Sequence, residues 1–333
     1  MPITELERIE FDFGMSWGSR NLLPVEFVES AFSEILVSDL EPDSPKFPEA
    51  VFRTLPFRVR REEFALTAGL FDPIAKILPA LGRVGIMRPS PVAISGSAGF
   101  SGIGELERFL KTGGSLGGLL VRPDVSLPSG ETLPVGERRA LVELAEKNNF
   151  IILEDGSGRN LSFGSPLPPI KSFDETGRVA YFSDFSGEFL PNIGLGIFSA
   201  SEELAERISA VSAPTVLGKF AVKKWLEAGG IEDFRKRGLS LYRKRVEIAL
   251  EIAEDDLRAC KSGAPSGGWH IRLKIPNSPK ILQTARMEGV NFLPGTLFFP
   301  ENPSLGNDLA FLNVGALHED RIVKGLRCLS TLI

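Results

Sequence analysis

Between residues 63 and 200, short apolar runs alternate with segments in which apolar residues recur at helical spacing. The apolar runs predict buried strands, because few of their positions are polar enough to face water. They are "EFALTAG", "RVGIM", "VAISG", "GLLVRP", "FIILED", "VAYFS" and "IGLGIFS". The segments between several of them, such as "LFDPIAKILPAL" and "PVGERRALVELAEKNN", place their apolar side chains on one helical face. This alternation predicts an α/β unit.

The pattern changes after residue 200. "SEELAERISAVSAPTVLGKFAVKKWLEAGG" predicts a helical connector, and the charged stretch "IEDFRKRGLSLYRKRVEIALEIAEDDLRAC" predicts one long helix. The segments from "WHIRLKI" to "HEDRIVKGLRCLSTL" then predict a smaller α+β unit. We therefore expect three parts. An N-terminal segment, residues 1–47, packs with the small domain; residues 48–235 form the large domain; and residues 236–333 form the small C-terminal α+β domain.

Composition limits the partners that the protein can have. The 333 residues are 43% hydrophobic, which is enough to bury a large core. The net charge is −5 with both signs dispersed, so we expect neither nucleic acid nor a membrane as partner. The first residues lack the pattern of a signal peptide, and charges interrupt the apolar stretch near residue 80. Two cysteines in so long a chain indicate a reducing compartment, so we expect a soluble, cytoplasmic protein.

Several sequence blocks, in order along nearly the whole chain, resemble the fold type I aminotransferases that depend on pyridoxal 5′-phosphate (PLP), and most of all the aminotransferase half of MocR-type regulators. The blocks are "LLVRPDVSLPSGETLPVGERRALVELAEKNNFIILED", "YFSDFSGEFLPNIGLGIF", "GGWHIRLKIP", "GVNFLPGTLFF" and "LAFLNVGALHEDRIVKGLRCL". The resemblance implies a large α/β domain with a mostly parallel sheet and helices on both faces, beside a smaller α+β domain. We expect no DNA-binding module ahead of it.

The resemblance also identifies the position of the catalytic lysine. In the family, a lysine that forms a Schiff base with PLP closes a strand motif of serine or threonine, any residue, serine and lysine. The matching residues here are Asp184, Phe185, Ser186 and Gly187. Glycine has no side-chain amine, so the resemblance implies no internal aldimine at Gly187 and no catalytic residue at this position.

Other family positions for cofactor and substrate are changed as well. Gly194 stands where an arginine binds the phosphate, and Asp184, a carboxylate, stands where a hydroxyl binds it. Ser157 replaces a tyrosine that contacts the ring hydroxyl, and Pro91 replaces the aromatic that stacks on the ring. Phe311 replaces the arginine that clamps a substrate carboxylate. Leu127 also replaces a polar residue, and the chain is abridged between about residues 45 and 110, which implies a narrowed or open cleft.

Three residues keep the family pattern. Asp155 can pair with the pyridinium nitrogen, and the amides of Gly69 and Leu70 can face an anion at a helix start, if PLP binds. The structural alternative is that Asp155 caps a loop or is solvated at a strand end, and that Gly69 only permits a tight strand-to-helix turn.

Other candidate sites favour structural roles. His270 and His318 are the only histidines and lie far apart in the sequence, so we expect no metal site. The glycine-rich "SGSAGFSGIG" and "TGGSLGG" predict loops. A relocated Schiff-base lysine among Lys219, Lys223 and Lys224 is less favoured, because these residues lie on the connector helix.

Three functions remain open. The first is a catalytically inactive aminotransferase-like protein that binds a partner, such as an active relative, in a regulatory role. The second is a PLP-dependent aminotransferase with atypical residual chemistry, and the third is a binder of another small molecule in the old cleft. We expect no PLP, or only weak binding of it. The resemblance implies a homodimer, because each pocket of the family lies at a two-fold interface, and the amphipathic "NLLPVEFVESAFSEIL" lies near the expected interface.

Overall fold

A computed structural model describes residues 9–15, 17–37, 50–185, 187, 193–257 and 263–333. The strands of this part of the chain are β1 (Phe11–Asp12), β2 (Phe64–Thr67), β3 (Val84–Met87), β4 (Ala98–Phe100), β5 (Gly118–Val121), β6 (Ile151–Asp155), β7 (Val179–Asp184), β8 (Gly196–Ser199), β9 (His270–Lys274), β10 (Val290–Asn291), β11 (Leu293–Pro294) and β12 (Leu309–Asn313). The helices are α1 (Val25–Val37), α2 (Phe71–Leu81), α3 (Ile103–Lys111), α4 (Val135–Asn148), α5 (Glu202–Val211), α6 (Val216–Glu227), α7 (Gly230–Asp256), α8 (Ser278–Met287) and α9 (Glu319–Ser330).

A seven-stranded sheet with the order β2-β8-β7-β6-β5-β3-β4 forms the centre of the large unit. The neighbours from β7 to β4 run parallel, whereas β8 is antiparallel to both β2 and β7. Parallel strands need helical crossovers and bury both faces, which explains why their sequences are almost continuously apolar. The expected α/β class with a mostly parallel sheet is confirmed.

One predicted strand is wrong. "VAISG" at residues 92–96 is irregular backbone that ends in a turn, and the strand that pairs with β3 is instead Ala98–Phe100. The cause is Arg88, whose Nη1 donates to the carbonyl oxygens of Ser90 and Val92 at 3.0 and 2.7 Å. The backbone therefore curves around a buried guanidinium, and these carbonyls are not available to a neighbouring strand.

The two faces of the sheet are covered by different helices. On one face, α2 and α5 contribute Ile74, Ile77 and Ile208 to a buried cluster with strand residues. On the other face, α3 and α4 contribute Leu106 and Leu141 to a second cluster. Burial of both faces stabilises the sheet and leaves its strand ends as the surface where polar side chains collect.

The smaller unit packs its own core around α7. The strands β11, β12 and β9 form an antiparallel sheet, and α8 and α9 bury Leu282, Ile322 and Leu326 in the same cluster. The N-terminal strand β1 pairs with β10 of this unit, whereas α1 packs on α6 of the large unit. The division at residues 47 and 235 stays a prediction.

Within the described ranges, no helix combines the length and the apolar composition that crossing a bilayer requires.

Candidate cofactor site

The carboxyl ends of the central strands bring the predicted site residues to one edge of the sheet. Pairing places Asp155 beside Phe182, and Asp184 beside Gly196. Gly196 in turn pairs with Thr67, two residues before Gly69. Side chains at the carboxyl ends of neighbouring parallel strands share one crevice, the usual location of ligands in α/β sheets.

Gly187 stands in a place that has room for a side chain. An ideal Cβ built on its backbone would lie 3.4 Å from both Cδ atoms of Leu161, which is ordinary to slightly tight packing. The backbone does not lie in the left-handed region. Packing therefore does not require glycine at the position where the family has its lysine. Ser186 and residues 188–192 lie outside the described residues.

Gly194, unlike Gly187, stands in a place that has no room for a side chain. Its φ is +77°, a conformation that side chains rarely adopt, and an added Cβ would lie 2.6 Å from Cγ2 of Thr215. Thr215 caps α6: its Oγ1 accepts from the amide of Gly218 at 3.0 Å and donates to the carbonyl of Ile193 at 2.9 Å. Thr215 cannot move away without losing these bonds, so the backbone here is shaped around glycine.

Gly69 forms the turn that begins α2. Its φ is +102°, and nothing lies within 4 Å of an added Cβ. Leu70 is the N-cap residue of α2 and gives no side-chain cap. The helix start that a phosphate would use is thus present. The positive φ of Gly69 also agrees with the alternative that this glycine only permits a tight turn.

Asp155 has partners from its own chain. Its Oδ1 accepts from the amide of Ser157 at 2.9 Å and from the Ser157 hydroxyl at 2.5 Å. Its Oδ2 lies 3.7 Å from Nη1 of Arg122. These contacts match the loop-capping interpretation of Asp155. They also add Arg122, a residue that sequence reasoning missed although it directly follows the apolar strand "GLLV".

His270 lies near this pair in the small unit. Its side chain is buried, and Nδ1 has no hydrogen-bond partner among the described residues. Burial, and then the charge of Arg122, lower the pKa of His270 to about 3. The imidazole is therefore neutral at ordinary pH. His270 lies in β9, as its sequence context predicted.

Phe311 is fully buried in an apolar cluster. Its ring meets that of Phe298 edge to face, with centroids 5.0 Å apart, and Phe299, Leu293 and Leu309 complete the cluster. A carboxylate clamp needs an exposed cation. Phe311 instead stabilises the fold by packing in this apolar cluster.

The remaining sequence candidates lie elsewhere. His318 is the N-cap residue of α9, and its Nδ1 lies 2.6 Å from Oδ1 of Asp320. Lys219, Lys223 and Lys224 lie on α6, where Lys224 pairs with Glu34 of α1. Among the described residues, no three His, Cys, Asp or Glu side chains are arranged to hold a metal ion.

Solved structures resemble this fold over its whole length. An archaeal alanine:glyoxylate aminotransferase has a TM-score of 0.86 at 19% identity, covering 99% of this chain and 92% of that one. Pyrococcus horikoshii kynurenine aminotransferase has a TM-score of 0.85 at 21% identity, covering 100% and 94%. The fold is therefore that of the type I PLP-dependent aminotransferases.

Curated relatives include aminotransferases and a transcriptional regulator. The chain is 27% identical over 274 residues to an uncharacterized aminotransferase of Saccharolobus solfataricus, covering 77% of this chain and 67% of that protein. It is 26% identical over 239 residues to aromatic-amino-acid aminotransferase 1 of Thermococcus litoralis, covering 69% and 57%. It is 32% identical over 216 residues to the HTH-type transcriptional regulator TauR of Rhodobacter capsulatus, covering 60% and 44%.

The matched segment thus spans about two thirds or less of these relatives' own lengths. No family model matches the chain. The protein is aminotransferase-like and similar to the PLP-dependent superfamily, which makes PLP the cofactor to test against the site.

Proposed function

We propose that this protein has the aminotransferase fold without transaminase activity, and that it acts in the cytoplasm by binding a partner or ligand in a regulatory role. The observation that carries the proposal is the pair Gly187 and Gly194. The first supplies no amine for a Schiff base, and the second has a backbone that excludes an arginine in its present conformation.

The described residues of the site do not fit PLP. By the sequence resemblance, Asp184 stands where the family has a hydroxyl that binds the phosphate, and Asp155 already has Ser157 and Arg122 as partners. Only the helix start after Gly69 keeps a feature that favours an anion. Because such groups act as a unit in catalysis, loss of one already removes most of the activity, and the return of one alone does not restore it.

A second candidate function is the binding of a small molecule other than PLP. A cavity of about 320 Å³ lies at the carboxyl ends of β3 and β5, lined in part by Arg122, Ser126, Ser129 and Thr132. This volume is at the lower end of the range for small-molecule sites. The rest of the lining includes apolar and charged residues, so the cavity suits a small ligand that carries both apolar and polar groups.

The fold also leaves an apolar face for a second copy of the chain. Val25, Phe32 and Leu36 lie on the outer face of α1 and are 47%, 55% and 69% exposed, while Ala31 on its inner face is buried. Phe71 at the start of α2 is 60% exposed. We propose a homodimer of two-fold symmetry that covers these side chains, with a total buried area above about 2,000 Å².

Light scattering at micromolar concentration tests the dimer. A mass of two chains is expected, and it should fall toward one chain in a Phe32→Glu, Leu36→Glu double variant. A mass of one chain that does not change on tenfold concentration contradicts the dimer.

The test of inactivity is an amino-transfer assay on the purified protein with added PLP. A panel of amino acids and 2-oxo acids should give no product above the reaction of free PLP, while an ordinary aminotransferase measured in parallel does. Turnover of any amino acid in the usual enzymatic range, about 1–1,000 per second, contradicts the proposal and favours atypical PLP chemistry.

A further inference from the structure

Arg122 and Asp155 lie side by side at the ends of adjacent strands. β5 and β6 pair in parallel with Val121 beside Glu154, so Arg122 follows next to Asp155. The two side chains form an ion pair with 3.7 Å between Nη1 and Oδ2, and they are 16% and 14% exposed. At such low exposure, each charge depends on the other for compensation.

The other carboxylate oxygen of Asp155 accepts hydrogen bonds from the same chain. Ser157 donates both its amide and its hydroxyl to Oδ1. Ser157 stands where the resembling family has a tyrosine that contacts the cofactor. Arg122 and Ser157 thus both contact the same carboxylate.

Glu131 and Glu137 line the same cavity as Arg122, but no ion pair joins either of them to Arg122 in the described part of the chain. The Nε of Arg122 is buried and has no hydrogen-bond partner there, and the nearby His270 is neutral. Asp155 is the one carboxylate within ion-pair distance of Arg122 in the described part of the chain. The guanidinium therefore acts mainly on Asp155.

We propose that the Arg122 guanidinium takes the place beside Asp155 that the protonated ring nitrogen of PLP takes in the resembling family. Arg122 is then a built-in substitute for the cofactor's cation. A pyridinium that enters the site would be a second cation at one carboxylate, and it must displace Arg122 to pair with Asp155. This inference rests on the proposed function, since both hold that the site does not use PLP.

The test measures binding of pyridoxamine 5′-phosphate, which has the ring nitrogen and the phosphate but no aldehyde to react with surface lysines. Equilibrium dialysis near neutral pH compares the wild type with Arg122→Met, Asp155→Asn and the double variant. Arg272→Met is the matched control, because Arg272 pairs with Glu131, 2.9 Å away at a more exposed site.

Arg122→Met should bind this probe at least about tenfold more tightly than the wild type, the effect expected for removal of one close competing charge. The double variant should lose the gain, because Asp155 is then unable to pair with the ring nitrogen, and Arg272→Met should bind as the wild type does. Equal or weaker binding by Arg122→Met, or a gain that persists without Asp155, overturns the proposal.

Melting temperatures keep the test decisive if a single variant folds poorly. Arg122→Met and Asp155→Asn should each lower the melting temperature, and the double variant should lose less than the sum of the two. Additive losses overturn the pairing. Amino transfer by the wild type would overturn the proposed function instead, and the binding comparison would still decide the role of Arg122.

Discussion

The body of the central sheet and its carboxyl edge differ in how closely they keep the aminotransferase pattern. In the body, Ile152, Ala180 and Phe198 are almost fully buried between helices, as the fold requires. At the edge, the sequence resemblance matches Gly187 and Gly194 to positions where the family has a lysine and an arginine, and Arg122 lies 3.7 Å from Asp155. The difference teaches that burial in the body accounts for the fold, whereas the proposed loss of chemistry depends on a few residues at the edge.

The largest expected effect comes from the interior of the large unit. Arg138 is fully buried, and its guanidinium donates to Asp124 at 2.6 Å and to the carbonyl oxygens of Leu133, Pro123 and Pro168. Arg138→Met should lower the free energy of unfolding by about 3–5 kcal/mol, because Asp124 stays buried without its main partner.

The neighbouring residue provides the control for this prediction. Arg139 is exposed and stacks over the ring of Phe173 at 4.4 Å, so Arg139→Met should cost about 1 kcal/mol or less. Urea unfolding of both variants measures the two losses. Equal losses would mean that the buried ion pair contributes no more than a surface contact.

The next effect is a pH dependence caused by Glu154. Burial raises the pKa of Glu154 from 4.5 to about 7, although the amides of Ile170 and Lys171 donate to its carboxyl group and oppose the shift. Between these values the folded protein holds a proton that the unfolded chain has released. Stability should therefore fall as pH rises through this range, by up to about 1.4 kcal/mol per pH unit, and level off above it.

Urea unfolding across the pH range checks this slope. Glu154→Gln, which keeps the shape of the side chain but cannot titrate, should remove it. A slope that is unchanged in this variant would assign the pH dependence to other groups.

A smaller effect separates the two glycines of the site. Gly194→Ala should lower the free energy of unfolding by about 2 kcal/mol, because alanine is strained at positive φ and meets Thr215. Gly187→Ala should change it by less than about 0.5 kcal/mol, because an added Cβ there only touches Leu161. Thermal unfolding measures both, and similar losses would erase the distinction drawn between them.

The smallest expected effect is on activity. Gly187→Lys restores the amine in a place with room for it, yet it should not restore amino transfer. Asp184, Gly194 and Phe311 still leave the phosphate and the substrate carboxylate without their partners. A coupled 2-oxo acid assay should find the variant no more active than the wild type. Turnover near that of ordinary aminotransferases would show that these positions were matched wrongly.

Local pattern predicted the body of the fold well. "FIILED" predicted the strand observed at Ile151–Asp155, and the long charged stretch predicted the helix Gly230–Asp256, because strand and helix spacing follow directly from burial. "VAISG" was predicted wrongly, since its apolar residues gave no sign that a buried Arg88 would bind the carbonyls beside it.

The site was predictable only in part. The sequence resemblance pointed to Gly187 and Gly194, but the positive φ that distinguishes Gly194 depends on how the loop meets Thr215. The pairing of Arg122 with Asp155 depends on the register of β5 and β6, because these two residues are 33 positions apart in the sequence. No local pattern contains such a contact.

The central claim is that the wild type forms no aldimine with PLP, and borohydride trapping tests it most directly. The protein is incubated with PLP, reduced, digested and mapped by mass spectrometry. We predict at most scattered, substoichiometric labelling of surface lysines. Stoichiometric labelling of one lysine, such as Lys219, Lys223 or Lys224 on α6, would contradict the claim and identify a relocated Schiff base.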